Sequence, residues 1–177
     1  MSALIRVSVV SIVAFSGMYA FPSGVFAEIP EKTVASLCAA DENVIFACMT
    51  RQEKNASLCA SKNLSANEGY LVYRFGRIGQ KPELVYPNAP VSPYKIFTYM
   101  AHSNKYWRGV EVDFNISAHT YTLYNNYYDN EIHNDMPNIS ESGVIVRKHG
   151  KMIMQAECVE ANAHLDKIGE FIKHDSE

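Results

Sequence analysis

The sequence lacks the short motifs that mark the common catalytic and nucleotide-binding sites. It contains no Gly-x-Ser-x-Gly, no His-Glu-x-x-His, no Walker loop and no dinucleotide-binding fingerprint. A block of basic residues is also missing, since 16 Lys and Arg stand against 19 Asp and Glu for a formal net charge of −3. Such a chain is a poor candidate for binding nucleic acid. These absences favour a protein that is not an enzyme, uses no cofactor and binds no nucleic acid.

The apolar stretch near the N-terminus, Val7–Tyr19, is too short for a comfortable membrane span. It follows Arg6 and precedes Val25-Phe26-Ala27, which has small residues at positions −3 and −1 of a cleavage site. This pattern predicts a signal peptide over residues 1–27, with an uncleaved N-terminal anchor as the alternative. We therefore expect a single periplasmic or secreted domain over residues 28–177, without a stable membrane span.

Cysteine is scarce, and its spacing excludes further classes of site. The four cysteines are Cys38, Cys48, Cys59 and Cys158, and no two of them form a Cys-x-x-Cys pair. Redox catalysis and structural zinc are therefore both disfavoured. An even number of cysteines in an exported chain predicts two disulfides. Three of the cysteines lie close together near the N-terminal end of the predicted domain. Cys158 is therefore either bonded to one of these three or unpaired.

Alternation of apolar and polar residues with a period of two dominates the rest of the chain. Eight or nine short strands with frequent turn signals predict an all-β fold, a small antiparallel barrel or sandwich. At the C-terminus the apolar positions change to helical spacing, which predicts a short amphipathic helix over about 162–173. The predicted strands are Asn43–Thr50, Ala56–Ser61, Tyr70–Phe75, Glu83–Tyr86, Lys95–Met100, Val110–Asn115, Thr120–Tyr124, Gly143–Arg147 and Lys151–Cys158.

A polar stretch, Asn125–Ser142, separates the last two predicted hairpins and carries Asp129, Glu131, His133 and Asp135. The carboxylates suit a hard cation such as calcium, and the histidine suits a transition metal. The stretch lacks the glycine and the terminal glutamate of a calcium loop. We therefore favour a solvated connection that binds no metal, with a metal-dependent hydrolase as an alternative class.

Two places combine cations with aromatic residues. Arg74 lies between Tyr73 and Phe75, where it can form a cross-strand pair with Glu83 or serve as a recognition arginine on a partner surface. Trp107, the only tryptophan, is followed by Arg108 in a predicted loop. A tryptophan in that setting is either an interface anchor or a side chain folded back over the core.

Several runs resemble a family of small exported bacterial β-proteins of uncharacterised activity. The resemblance covers most of the chain after the leader and brings no activity with it. The runs are Ile45-Phe46-Ala47-Cys48, Ser57-Leu58-Cys59-Ala60-Ser61, Tyr70-Leu71-Val72-Tyr73-Arg74-Phe75-Gly76 and Pro82-Glu83-Leu84-Val85-Tyr86-Pro87.

A second set of runs is similar to the C-type lysozyme inhibitors of bacterial envelopes. Its parts are Phe46-Ala47-Cys48, Tyr121-Thr122-Leu123-Tyr124, and Val144-Ile145-Val146 followed by Gly150-Lys151 and Cys158. The resemblance implies a small antiparallel barrel with a Cys48–Cys158 disulfide, which leaves Cys38 for Cys59. A Cys48–Cys59 bridge is the competing arrangement if Glu53 and Lys54 form a two-residue turn. The serine-rich loop that the inhibitors insert into lysozyme has no counterpart at the corresponding place.

These observations lead to one functional hypothesis and one alternative. We expect an exported, non-catalytic binding protein, specifically an inhibitor or immunity protein that occludes a cell-wall-degrading hydrolase of the envelope. A disulfide-stiffened barrel would lose little freedom on binding. The alternative is a periplasmic barrel that binds a small apolar ligand. The candidate partner-binding loops are Gly76–Lys81, Asn88–Pro93 and Ser103–Gly109, and the candidate anchors are Arg74, Arg77, Trp107 and Arg108.

Overall fold

The computed structural model describes residues 33–129 and 139–175. The predicted signal peptide lies outside the described residues, and so do three members of the polar cluster, Glu131, His133 and Asp135. Within the described ranges no helix is long and apolar enough to cross a bilayer.

The predicted all-β class is confirmed. The described residues form ten strands and two short 3₁₀ helices, at Pro93–Lys95 and Leu165–Phe171. All nine predicted strands are present, although β5 begins later because Pro93–Lys95 form a 3₁₀ turn first. The strands are β1 (Glu42–Thr50), β2 (Asn55–Ser61), β3 (Leu71–Gly76), β4 (Leu84–Tyr86), β5 (Thr98–Ser103), β6 (Trp107–Ile116), β7 (His119–Tyr128), β8 (Ile139–Lys148), β9 (Lys151–Ala163) and β10 (Lys173–His174).

The ten strands form one curled sheet, a half-barrel, with the order β10-β5-β6-β7-β8-β9-β1-β2-β3-β4. Strands β1–β4 and β5–β9 are two antiparallel meanders, and the antiparallel pairing of β9 with β1 joins them. The sheet is mixed because the two-residue β10 runs parallel to β5. This register places residues of opposite meanders on one concave face.

Large aromatic and aliphatic side chains fill the concave face. Phe114 of β6 is at the centre of this packing, with ring centroids 5.0 Å from Tyr73, 5.4 Å from Phe97 and 5.2 Å from Tyr121. These spacings are those of favourable tilted and offset aromatic contacts. Tyr73 is buried, and burial raises the pKa of its hydroxyl far above the usual range.

The C-terminal helix is present, but as 3₁₀ turns over Leu165–Phe171 rather than a longer α-helix. It is shorter than predicted because β9 continues to Ala163 and β10 begins at Lys173. Leu165 and Ile168 are both buried, which fits a 3₁₀ helix because residues i and i+3 share one face.

Two disulfides join distant parts of the chain. Cys48–Cys158 links β1 to β9, and Cys38–Cys59 ties the segment before β1 to β2. This is the pairing that the resemblance to the lysozyme inhibitors implied. The alternative Cys48–Cys59 bridge is wrong, because the first hairpin turns through Arg51–Lys54 and the register sets Cys48 opposite Ala56. Two disulfides are consistent with an oxidising compartment outside the cytoplasm.

Candidate functional site

Four hairpin connections lie at one end of the half-barrel because their strands alternate in direction. The residues of this end, together with the flanking lysines of the last hairpin, are 51–54, 77–83, 117–118 and 148–151. They carry six Lys and Arg against two Glu, although the whole chain is acidic. We call them the cationic end. The six cations are Arg51, Lys54, Arg77, Lys81, Lys148 and Lys151.

Surface ion pairs hold only half of these cations. Lys54 Nζ lies 2.7 Å from a Glu83 oxygen, while Arg77 contacts Glu53 at 3.4 Å and Arg51 contacts Glu157 at 3.6 Å. Exposed pairs of this kind contribute little stability and are easily exchanged for other partners. Among the residues that the structure describes, Lys81, Lys148 and Lys151 have no carboxylate within ion-pair distance. The end therefore keeps an unneutralised positive charge.

An apolar cleft of about 290 Å³ opens on the concave face at the cationic end. A β-bulge contributes to it, because the β8–β9 register shifts between Val146 and Arg147 and leaves Ile153 as an extra residue of β9. Two consecutive side chains, Ile153 and Met154, therefore line the same cleft. The complete lining is Tyr73, Phe75, Leu84, His119, Tyr121, Val146, Ile153 and Met154.

A groove of about 610 Å³ adjoins the cleft, with Phe75 and Met154 common to both. It forms because β1 ends at Thr50, opposite Cys158, while β9 continues back to Lys151. From Cys158 toward Lys151, β9 thus pairs with β8 alone. Its regular part, Met154–Glu157, is here called the free β9 edge. The β1–β2 turn, including Arg51 and Lys54, forms the opposite wall of the groove.

Arg74 is not paired with Glu83, so that prediction is wrong. Its guanidinium donates to both carboxylate oxygens of Glu42, at 2.5 and 2.9 Å, and Glu83 binds Lys54 instead. The cross-strand neighbour of Arg74 on β4 is Val85, and Glu83 precedes that strand. Arg74 therefore holds the segment before β1 and the start of β1 on the convex side of β3, and most of its side chain is buried.

Glu42 is a buried carboxylate with three donors. Besides Arg74, it accepts the hydroxyl of Tyr70 at 3.1 Å and the backbone N–H of Ala39 at 2.7 Å. Burial alone would raise the pKa of Glu42, but the hydrogen bonds from Arg74 and Ala39 and the Arg74 charge outweigh it, so the pKa is lowered. Glu42 is thus an ionised carboxylate whose role is structural.

Trp107 and Arg108 lie at the start of β6 and not in a loop, so that predicted placement is wrong. They are at the far end of β6 from the β6–β7 turn, a strand length from the cationic end and Arg77. The Trp107 ring is half-buried, stacks on His102 with centroids 5.8 Å apart and covers Gly109. The Arg108 guanidinium lies 4.7 Å from the Tyr127 ring centroid. The predicted anchors therefore do not form one surface.

Side chains of the metal-ligand type come close together at one place in the described residues. The one group of ligand-type side chains close enough to share an ion is Cys38, Glu42 and Cys59, and its two sulfurs form a disulfide. Asp113 and Glu111 are partly buried on β6, and burial raises the pKa of each carboxyl. They share the convex face with Arg147 and lie away from the cleft.

The sequence interpretation identified Arg77 and the Gly76–Lys81 loop, which belong to the cationic end, but it missed the β9 side chains. Met152, Ile153 and Met154 are exposed, and the sequence pattern assigned them only to a strand of the last hairpin. One feature of the sequence could have indicated the cationic end, because the first and last predicted hairpin turns both carry cations. Comparison of the chain with protein-family models, curated protein sequences and solved structures finds no match.

Proposed function

We propose that this protein is an exported, non-catalytic binding protein whose cationic end occludes an acidic site on a partner. The observation that carries the proposal is the cluster of six cations around an apolar cleft, on hairpin turns held by a disulfide-linked sheet. Complementary charge speeds encounter and selects partners, while a cleft that accepts one apolar side chain supplies a buried anchor.

The specific partner that we propose is a cell-wall-degrading hydrolase of the envelope. Two considerations support this version. The sequence is similar at Phe46-Ala47-Cys48 and at its last hairpin to the C-type lysozyme inhibitors, and hydrolases that cleave glycosidic bonds work with paired carboxylates in their cleft. A rigid set of cationic turns can fill such a cleft with a low ordering cost.

Capture from an envelope extract tests this function. The oxidised protein is immobilised, bound proteins are identified by mass spectrometry, and the hydrolytic activity of any captured enzyme is titrated with free protein. We expect a cell-wall hydrolase bound at one-to-one stoichiometry, with its activity lost at saturation. A captured hydrolase that stays fully active in the complex would remove occlusion as the function.

The apolar cleft favours a second candidate, a carrier of a small apolar ligand. Its volume of about 290 Å³ lies at the lower limit of small-molecule pockets. The test is the binding of a hydrophobic dye to the protein and to two variants. Val146→Trp fills the cleft, and His102→Trp adds the same side chain at the other end of the strands. Loss of dye binding in Val146→Trp alone would favour the carrier. The partner proposal predicts weak dye binding and no copurifying lipid or cofactor.

A further inference from the structure

The backbone of the free β9 edge, Met154–Glu157, is open to an added strand. Hydrogen-bonded pairing with β1 stops at Thr50 and Cys158, whereas pairing with β8 continues in regular register from Gly143–Glu157 to Val146–Met154. No backbone partner other than β8 occurs for these four residues within the described part of the chain. Half of their N–H and C=O groups therefore face the groove. Unpaired edge groups of this kind are what a β-strand recognises in a partner.

Apart from the charge of Glu157 at its end, this edge has none of the usual protections against strand addition. Met154-Gln155-Ala156 contains no charge and no proline, and the β-bulge lies outside it at Ile153. The β1–β2 turn does not cover the edge either, since a groove of about 610 Å³ separates the two. An open edge and an apolar cleft side by side can together bind an extended peptide. The backbone groups of the edge bind the main chain of the peptide, and the cleft accepts one of its side chains.

We propose that an extended, acidic segment of the partner adds as a strand to the free β9 edge and places one apolar side chain in the cleft. This inference rests on the proposed binding function and specifies how the partner is held. The acidic character follows from the charge of the groove surroundings. Arg51 and Lys54 line the far wall against one carboxylate, Glu157, in the same lining. Lys148 and Lys151 stand unpaired at the hairpin tip. The added strand extends the sheet in the gap between β9 and the β1–β2 turn.

A labelled peptide tests the inference directly. The probe is a short synthetic peptide in which Asp and Glu alternate with Phe and Val, and its binding to the full oxidised chain is followed by fluorescence anisotropy. A matched peptide carries N-methyl groups on alternate amides, which keeps charge and side chains but removes the hydrogen bonds of one strand edge. We expect the methylated peptide to bind at least roughly tenfold more weakly. Equal affinity of the two peptides, or no binding of the first at about millimolar concentration, overturns the inference.

Two variants on the same strand locate the site. Met154→Glu places a carboxylate in the cleft and beside the edge, whereas Val159→Glu adds the same charge to an exposed residue of β9 where β1 already occupies the edge. We expect Met154→Glu to weaken peptide binding by roughly tenfold or more and Val159→Glu to change it less than about twofold. Equal effects of the two variants place the peptide elsewhere and overturn the inference.

Amide hydrogen exchange supplies a readout that does not depend on a variant folding well. On addition of the peptide to the unaltered protein, alternate amides of Met154–Glu157 should become protected, while those of Val159–Ala163 stay as they were. The failure of this inference is distinguishable from failure of the proposed function. If the Met154→Glu and Val159→Glu proteins capture and inhibit a hydrolase equally well, the proposed function stands and the strand addition is rejected. If no hydrolase is captured at all, the proposed function itself is rejected.

Discussion

A single buried carboxylate, Glu42, connects three parts of the fold that are separate in sequence. Arg74 reaches it from β3, Tyr70 from the chain before β3, and the N–H of Ala39 from the segment before β1. That segment is held further by the bond from Leu37 N–H to Ser57 Oγ and by Cys38–Cys59. A buried carboxylate with this many donors is strongly coupled to folding, because removing it leaves the donors unsatisfied.

Glu42→Gln should therefore destabilise the protein by about 3 kcal/mol, because the Arg74 guanidinium loses its charged partner in a largely buried position. Glu83→Gln is the matched control, since its Lys54 pair is exposed, and it should change the free energy of unfolding by less than about 1 kcal/mol. Urea unfolding of both variants measures the difference. Equal losses would show that the Glu42 network contributes no more than a surface ion pair.

The same carboxyl predicts a pH dependence. Because the pKa of Glu42 in the folded protein is below its ordinary value of 4.5, its stabilising contribution is fully present above about that pH. It is lost as the pH falls through the lower, folded-state pKa. The stability difference between the unaltered protein and Glu42→Gln should thus be constant near neutral pH and shrink in acid. A difference that grows in acid would contradict a lowered pKa.

Trp107 reports on its own packing because it is the only tryptophan. A Cβ at Gly109 would approach the Trp107 ring to 2.6 Å, so Gly109→Ala should push the indole toward water. We expect a red shift of the emission with a small loss of stability, since a side chain and not the backbone moves. Ala101→Gly, on the neighbouring β5, is a control that should leave the emission unchanged. An unshifted spectrum for Gly109→Ala would show that the indole is not packed against Gly109.

At the scale of elements, the junction between β1 and β9 determines how the molecule is built. It joins two meanders that are each made of local hairpins, and Cys48–Cys158 covalently fixes the strands that meet there. The same junction produces the candidate site, because the early end of β1 at Thr50 leaves the β9 edge free. The difference in length between β1 and β9 thus accounts for the free β9 edge on which the proposed binding mode depends.

The two disulfides should differ in their contribution. In the chain-entropy model, Cys48–Cys158, which closes 110 residues, stabilises by about 4.8 kcal/mol, and Cys38–Cys59, which closes 21, by about 3.3 kcal/mol. Replacing both cysteines of each bridge by alanine and measuring urea midpoints tests this order. A larger loss for the Cys38–Cys59 pair would indicate that its local attachment of the segment before β1 outweighs loop entropy.

Much of the sheet was predictable from the sequence, and the reasons for the gaps are physical. Strands such as Val110–Asn115 are predictable from their alternating period, and the last hairpin turn from the glycine of His149-Gly150 between two apolar runs. In the structure both turn residues have positive φ angles, 50° and 75°. The two-residue β10 carries no such pattern. Exposure of Met152–Met154 was hidden for a different reason, since it depends on where β1 stops, and a strand end is the least readable feature of a sequence.

At the scale of the whole molecule, charge is distributed unevenly. The chain has a net charge of −3, yet the cationic end has six Lys and Arg against two Glu. An oriented field of this kind directs an acidic partner to one end and disfavours encounters elsewhere, and its effect on association falls as salt screens it. The predicted anchors Trp107 and Arg108, at the opposite end, remain candidates for a separate contact with the same or another partner.

The most direct test of the central claim is the affinity of the captured hydrolase for two charge-reversal proteins at low and high salt. In one, Lys148→Glu and Lys151→Glu reverse the cationic end, and in the other the exposed Lys167→Glu and Lys173→Glu alter the C-terminal segment by the same charge. The account predicts a loss of affinity of at least roughly tenfold for the first protein only, with the loss reduced at high salt. Equal affinities for the two proteins would contradict the cationic end as the binding surface.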